Sequence, residues 1–423
     1  MSPLFLYLGN AGVILLCFHP QLTKSWSIQY KLSFPRRAEF GMSMPTSSPG
    51  PIKPSHVVIA GAGVIGTSTA YYLAHMFGIS CTVVDQTGHI APAASGKAGG
   101  FLALDWNDDS PTGELTRRSF ALHQELADAL GADNLQYRRL TCSSVAVNDF
   151  AHLKPSGKKL EGLEWAADAM GVQSLGDERT IAQVHPKKLC DNLWRAASKC
   201  KEEGGVGSTL VKGKVAGPVY EDGRLVGARL DDGTILAADA LLFACGPWTA
   251  NIMTGVKYHS VLIPTERTLS QCVFFSGCGD PEVYVRPDNT AYCTGFPDSA
   301  IRVTEHPGEE EVRQEAVDAI VAAVRTASGG SDNGAALSAV PQAANACYLP
   351  MTPDGLPIMG LLPEDSVGGG DCYIATGHSC WGILLGPATG ESMATLIATG
   401  KPSTHVDIQP FNPSRYAGVI KIQ

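Results

Sequence analysis

The sequence predicts an α/β fold, and three observations carry that prediction. Between Ser55 and Asp85 an apolar run, a glycine turn, an Ala/Tyr/Leu-rich stretch and a second apolar run follow one another. Two later apolar runs, Ala240–Ala244 and Cys372–Ala375, also end on glycine turns. Elsewhere, over Val206–Trp248 and Ile263–Phe296, the chain reads as strands punctuated by turns.

With 423 residues, the chain can build two cores of the usual roughly 100–200 residues each. Its 44% hydrophobic and 17% charged content is that of a globular enzyme, not of a disordered chain. A net charge of −9 argues against nucleic acid or an anionic membrane as the main partner. The twelve cysteines contain no CxxC pair and match neither a zinc site nor a disulfide scaffold. Most of them read as reduced, small core residues of a cytosolic or organellar protein.

Residues 1–54 differ from the rest. Leu4–Phe18 is apolar, but interrupted and shorter than the roughly 20 residues of a membrane span. The first basic residue, Lys24, follows that run, which is the wrong order for a secretory signal. Lys24, Lys31, Arg36 and Arg37 against Glu39, in a Ser/Pro/Thr-rich setting, suit a transit peptide for the chloroplast or mitochondrion. Alternatively translation starts at Met42 and the protein is cytoplasmic.

The first unit is the clearest. His56–Ala60 reads as a strand, Val64–His75 as a helix and Ile79–Val84 as a strand that ends on Asp85. The intervening Gly61-Ala62-Gly63-Val64-Ile65-Gly66 is GxGxxG in the context that gives it meaning. Gly61 permits the turn, Gly63 lets a pyrophosphate approach, and Gly66 lets helix pack on strand. The helix N-terminus, at Val64 and Ile65, offers free N–H groups, and Asp85 is placed for ribose hydroxyls. A small-residue loop, Ala91–Gly100, and a helix over Thr112–Leu130 follow. Strands are expected at Thr209–Val211, Val215–Tyr220, Leu225–Leu230 and Ile235–Leu236, with Asp-Gly turns at Asp222-Gly223 and Asp232-Gly233 marking hairpins. Glu309–Thr326 reads as a helix, as does Ile383–Thr399 after the Thr376-Gly377 turn.

Three glycine turns from one sheet enclose a longer ligand than NAD, which points to FAD. Four motifs occur in order: GAGVIG with Asp85, SGKAGG, DGTILAADALLFACGPWT, and TPDGLPIMG with ATGHSCWGILLGPATG. Together, over Ser55–Gly400, they make the chain resemble the D-amino-acid-oxidase-like flavoproteins, which include glycine oxidase and sarcosine oxidase. The resemblance implies a Rossmann-type FAD-binding domain from 55–107, 180–262 and 345–423. It also implies an interleaved α+β substrate domain on an antiparallel sheet, from 108–179 and 263–344.

By the same resemblance, Val215 holds the adenine through its backbone and Gly246 lies beside the pyrophosphate. Ser95, Gly96, Lys97, Ala98 and Gly99 line the flavin. Gly377, Gly382, Ile383 and Leu384 form the turn and helix start aimed at its N1–C2=O edge, where a helix N-terminus stabilises negative charge. Cys347 stands where the sarcosine-oxidase branch attaches flavin covalently; otherwise it is a core thiol. Relatives carry a carboxylate-binding arginine shortly before the Thr-Pro-Asp; here the run is Tyr348-Leu349-Pro350-Met351. Arg286 takes that role, or is a surface charge. Lys97 stabilises reduced flavin or is a solvated loop lysine. His378 is an acid/base group or a hydrogen-bonded structural residue. Tyr284 and Tyr348 are expected in the pocket wall, and no metal motif is present.

The implied reaction oxidises a C–N bond of a small amine or amino acid by hydride transfer to flavin, with O₂ or another acceptor taking the electrons. A rival reading is an FAD-containing assembly or trafficking factor with little turnover. A nicotinamide-linked reductase is disfavoured, because no second complete GxGxxG unit exists.

Overall fold

The computed structural model describes residues 53–147, 163, 165–166, 171–199, 203–329 and 336–422. The leader expected over 1–54 lies outside them save for its last two residues.

Six strands form the sheet that carries the glycine turns, in the order Ile358–Leu361, Cys372–Thr376, Ala240–Phe243, His56–Ala60, Ser80–Asp85, Thr209–Lys212. All neighbours are parallel except the outermost pair, Ile358–Leu361 with Cys372–Thr376. Val57, Val58, Ile59, Leu241 and Leu242 are fully buried, as strands covered on both faces must be. One face packs on the helices Val64–Phe77, Pro186–Ala197 and Gly382–Thr399; the other packs on a three-stranded sheet containing Val215–Glu221. The two Asp-Gly turns fall where expected, between Val215–Glu221, Arg224–Leu230 and Ile235–Ala237.

The Val64–Phe77 and Gly382–Thr399 helices touch through missing side chains. A Cβ on Gly386 would lie 2.6 Å from Val64 Cγ2, and one on Gly390 2.5 Å from Ser68 Cβ. The second helix also contains Pro387, which has no N–H for the Ile383 carbonyl four residues earlier. The Gly113–Leu130 helix repairs the gap. His123 Nε2 lies 3.0 Å from the Ile383 oxygen, and Ser119 Oγ accepts the Ala388 N–H at 3.0 Å. Donation by Nε2 requires the neutral tautomer with its proton there, and burial holds His123 neutral, at a pKa of about 4.

An eight-stranded, mostly antiparallel sheet forms the second layer system. Thr254–Pro264 is its hub, paired with Thr290–Gly295 on one side and Ala343–Met351 on the other. Glu282–Val285 and Gln271–Ser276 continue the sheet. Its core face packs Val261, Ile263, Val283 and Val285 against Ile320 and Val324 of the Gln314–Ala327 helix.

The sequence-based limits shift in three places. Leu115, Phe120, Leu122 and Leu126 of Gly113–Leu130 join the core beneath the parallel sheet, although 108–179 is the expected substrate segment. Thr254–Pro264 and Ala343–Met351 belong to the antiparallel sheet, although 254–262 and 345–351 fall in expected FAD-binding segments. Periodicity reports that a face is buried, not against which layer. The helix expected from Glu309 begins at Gln314, because Glu310 turns to Lys97 and the Arg313 N–H donates to His259 Nε2 at 3.1 Å.

Candidate active site

Gly61 ends its strand at φ +103°, and its N–H donates to the Val84 carbonyl at 2.7 Å, which turns the chain sharply under the helix. A Cβ at Gly66 would press into the Gly61 carbonyl oxygen, so the helix can approach the turn only with glycine there. The helix starts at Gly63 with no side-chain cap of its own; Ser95 Oγ, from the loop, accepts the Val64 N–H at 3.0 Å. Asp85 Oδ2 accepts the Ala62 N–H at 3.1 Å, while Oδ1 takes the Thr87 N–H and hydroxyl at 2.9 and 2.7 Å. The Asp85 carboxylate is thereby fixed and buried at the strand end. The Gly213 N–H donates to the Asp85 carbonyl, bringing Val215 to the same rim.

The second glycine turn contributes Gly246, whose carbonyl accepts the Thr376 hydroxyl at 2.7 Å. That bond ties it to the third turn, where Gly377 adopts φ +80° against Thr352 and Leu356. Gly382, Ile383 and Leu384 open the last helix, again without a side-chain cap. Space for a ligand is left where the turns converge. No atom lies within 4 Å of a Cβ built on Gly246, and only Ser95 comes that close to one built on Gly63. Two helix N-termini whose N-cap residues make no side-chain cap, beside open glycine backbone, suit a diphosphate and an electron-rich ring.

The small-residue loop contains one helical turn, Ala94–Lys97, and lies against the antiparallel sheet. A Cβ on Gly99 would collide with the Tyr284 ring and reach Tyr292 at 3.0 Å. Tyr284 stacks on Tyr292 at 5.8 Å and on Phe101 at 5.6 Å between ring centres. Glu282, Tyr284 and Arg286 alternate with the core residues Val283 and Val285, so they share the face turned to the loop.

Arg286 is no surface charge. It is 5% exposed, donates from NH2 to the Ala98 carbonyl at 2.9 Å, and lies 5.5 Å over the Tyr292 ring. Its Nε has no hydrogen-bond partner, and burial lowers the guanidinium pKa. Lys97 is not free in solvent either: Nζ meets Glu310 at 2.9 Å and the Ala346 carbonyl at 3.0 Å. His378 is buried, with Nε2 3.0 Å from Thr389 Oγ1, and burial takes its pKa down to about 3. That geometry makes it a neutral brace between the third turn and the following helix. Cys347 is opposite Tyr258 in register, next to the Lys97-bound Ala346, and burial takes its thiol up to about 12. Tyr348, expected in the pocket wall, points to the opposite face, against Gly255 and Trp248.

Glu282, Glu310 and His123 were missed in the sequence. The run Glu-Val-Tyr-Val-Arg carried the signal for the first: polar and aromatic residues on one face, valines on the other. Pro387 four residues after Ile383 announced an orphan carbonyl needing a donor such as His123. Glu310 had no local signal, since its partner is 213 residues away.

The parallel sheet with its three glycine turns, closed by an antiparallel sheet, defines a dinucleotide-binding flavoprotein. Comparison with known proteins agrees. Residues 56–396 match the family described as DAO, FAD dependent oxidoreductase, and the chain belongs to that family. An oxidoreductase of Schizosaccharomyces pombe is 31% identical over 84% of this chain and 97% of its own length. Glycine oxidase of Bacillus licheniformis is 24% identical over 86% and 98%. The crystal structure of glycine oxidase from Geobacillus kaustophilus superposes with a TM-score of 0.68 at 21% identity, covering 86% of this chain and 99% of that one. The protein is therefore an FAD-dependent oxidoreductase, and its glycine turns and open helix ends fit that cofactor. Among the described residues no helix is long and apolar enough to cross a membrane, and no cluster of metal-binding side chains occurs.

Proposed function

We propose that this enzyme oxidises a C–N bond of a small amino acid or amine, with O₂ or another acceptor taking the electrons. Bound FAD supplies the hydride acceptor. The observation that carries the reading is Arg286: a buried guanidinium on the sheet face, against the loop that lines the cofactor, with one N–H unpartnered. A planar guanidinium in that position forks onto a carboxylate, which restores the function of the arginine missing before Thr352. Relatives named glycine oxidases support an amino acid as the substrate. The other residues prepare the site. Tyr284, Tyr292 and Phe101 form the aromatic wall that would exclude water, and the His123 and Ser119 contacts brace the start of the last helix, whose N–H groups would face the cofactor. Neither His378 nor Lys97 acts as proton carrier: one is held neutral, and the other is committed to Glu310.

Holoprotein mixed anaerobically with a broad panel of amines and amino acids should lose its oxidised-flavin absorbance with at least one of them. Persistent colour against the whole panel would sink the reading in favour of a flavoprotein with little turnover. With a substrate in hand, Arg286→Lys should raise KM for a carboxylate-bearing member by about tenfold to a hundredfold and leave a carboxylate-free amine unaffected.

A further inference from the structure

The buried acids of this fold are treated differently from one another. Glu310 has Lys97 at 2.9 Å and Glu391 has Arg118 at 2.6 Å. Glu282 has no ion-pair partner among the described residues; it accepts one hydrogen bond, from the Tyr284 hydroxyl. A carboxylate withdrawn from water without a cation is costly. Burial accordingly raises the Glu282 carboxyl pKa. The residue as a whole is half-buried rather than sealed in the core.

Aromatic rings surround it. Tyr284 is two residues along the same strand and Phe274 is directly opposite in register, their rings 5.7 Å apart. Tyr258 lies close enough that the Glu282 charge, after burial, is the next cause raising its phenol to about 12. Ring faces are electron-rich, so these rings and the carboxylate attract the same species, a cation. The position is also telling. The Tyr284 side chain lies against Gly99 of the cofactor-lining loop, so Glu282 is one strand repeat from the reacting region.

We propose that Glu282, with Tyr284, Tyr258 and Phe274, is the subsite for a second, cationic nitrogen of the substrate. The inference rests on the C–N oxidation reading above. A nitrogen whose neighbouring carbon gives up a hydride must be neutral, its lone pair free to become the imine. The nitrogen held as a cation at Glu282 is therefore a different one. Glu282 and Arg286 are four residues apart, roughly 13 Å between Cα atoms, with Tyr284 between them hydrogen-bonded to Glu282 while Arg286 turns to the Ala98 carbonyl. They suit the two ends of a longer molecule. The substrate class is thus a basic amino acid, or a diamine engaging Glu282 alone.

The test uses holoprotein, anaerobic, titrated with two matched pairs: lysine against norleucine, and 1,4-diaminobutane against butylamine. Band shifts of the flavin spectrum report binding, and bleaching reports oxidation. In at least one pair the cationic member should bind about tenfold to a hundredfold tighter, and Glu282→Gln should abolish the preference while retaining FAD. If that variant loses FAD, Glu282→Asp should weaken the same preference. No preference in either pair, or a preference that survives replacement of Glu282, overturns the proposal. Selective binding without bleaching leaves the subsite standing and removes the C–N oxidation reading; bleaching without selectivity does the reverse.

Discussion

Around Gly61–Gly66 the chain approaches itself so closely that side chains are excluded, and a ligand there would meet backbone N–H groups. Around Glu282–Arg286 the opposite holds: the chain projects an acid, a phenol and a guanidinium, so a ligand there would meet side chains. The first region is specified by what cannot fit. A Cβ at Gly66 has no room against the Gly61 carbonyl, and the helix pair beyond it closes over Gly386 and Gly390. The second is specified by partners brought together across strands and held by register: Phe274 opposite Glu282, Tyr284 opposite Tyr292. A backbone-built site tolerates almost no substitution and says little about substrate. A side-chain-built site can change without loss of fold, which is where the proposed function puts substrate choice.

The sharpest way to break this contrast is Gly66→Ala. The atom that must move is a backbone oxygen of the turn itself, so relaxation cannot be local. Overpacking of this kind costs about 1–3 kcal/mol or more, and here it also shifts the helix N-terminus. We expect the variant to purify with little or no FAD, read from the ratio of flavin to protein absorbance. Normal flavin content would show that the close approach is not required.

The same contrast explains what was legible. GxGxxG, Asp85 and the later turns could be read because each motif is contiguous and its residues are dictated by local backbone geometry. The strand and helix positions of that half follow the expected segments to within a residue or two, as in Ser80–Asp85 and Cys372–Thr376. Arg286 could be singled out but not placed, because its burial depends on Ala98, 188 residues away, as well as on Tyr292 across the hairpin. Glu282 had a local signal in the alternating Glu-Val-Tyr-Val-Arg run, but its neighbour Phe274 comes from the adjacent strand. Lys97 was read as a flavin-facing or solvated cation, and its Glu310 partner arrives through a segment with no motif at all.

A smaller effect tests whether histidines on the backbone-built side act as neutral braces. His123 and His378 have native pKa values of about 4 and about 3, below the ordinary 6.5, because burial opposes their charged forms. Well above pH 6.5 both folded and unfolded chains carry them neutral, and these two residues add no pH dependence to stability. As pH falls below 6.5 the unfolded chain binds protons that the native chain refuses, so stability declines until the native pKa values are reached. Each histidine contributes up to about 1.4 kcal/mol per pH unit in that window. Melting temperature should fall from pH 6.5 toward pH 4, and His378→Gln should flatten the slope. An unchanged slope would mean that His378 charges readily and is not a neutral brace.

The least perturbing test addresses the boundary between the two regions, where Cys347 lies near Lys97 and opposite Tyr258. Covalent attachment to a flavin methyl group needs the thiolate, because the thiol itself is a poor nucleophile. Burial drives this thiol up to about 12, against the smaller, opposing pull of the Lys97 charge. Lys97 is in any case engaged by Glu310, which limits the help it can give. At neutral pH the thiolate fraction is then on the order of 1 in 10⁵. Acid precipitation of the holoprotein should therefore release the yellow colour into the supernatant, from the natural chain and from Cys347→Ala alike. Colour retained in the pellet, and lost on replacing Cys347, would show that bound FAD reverses the local electrostatics. It would also place a reactive side chain at the boundary of the region otherwise built from backbone.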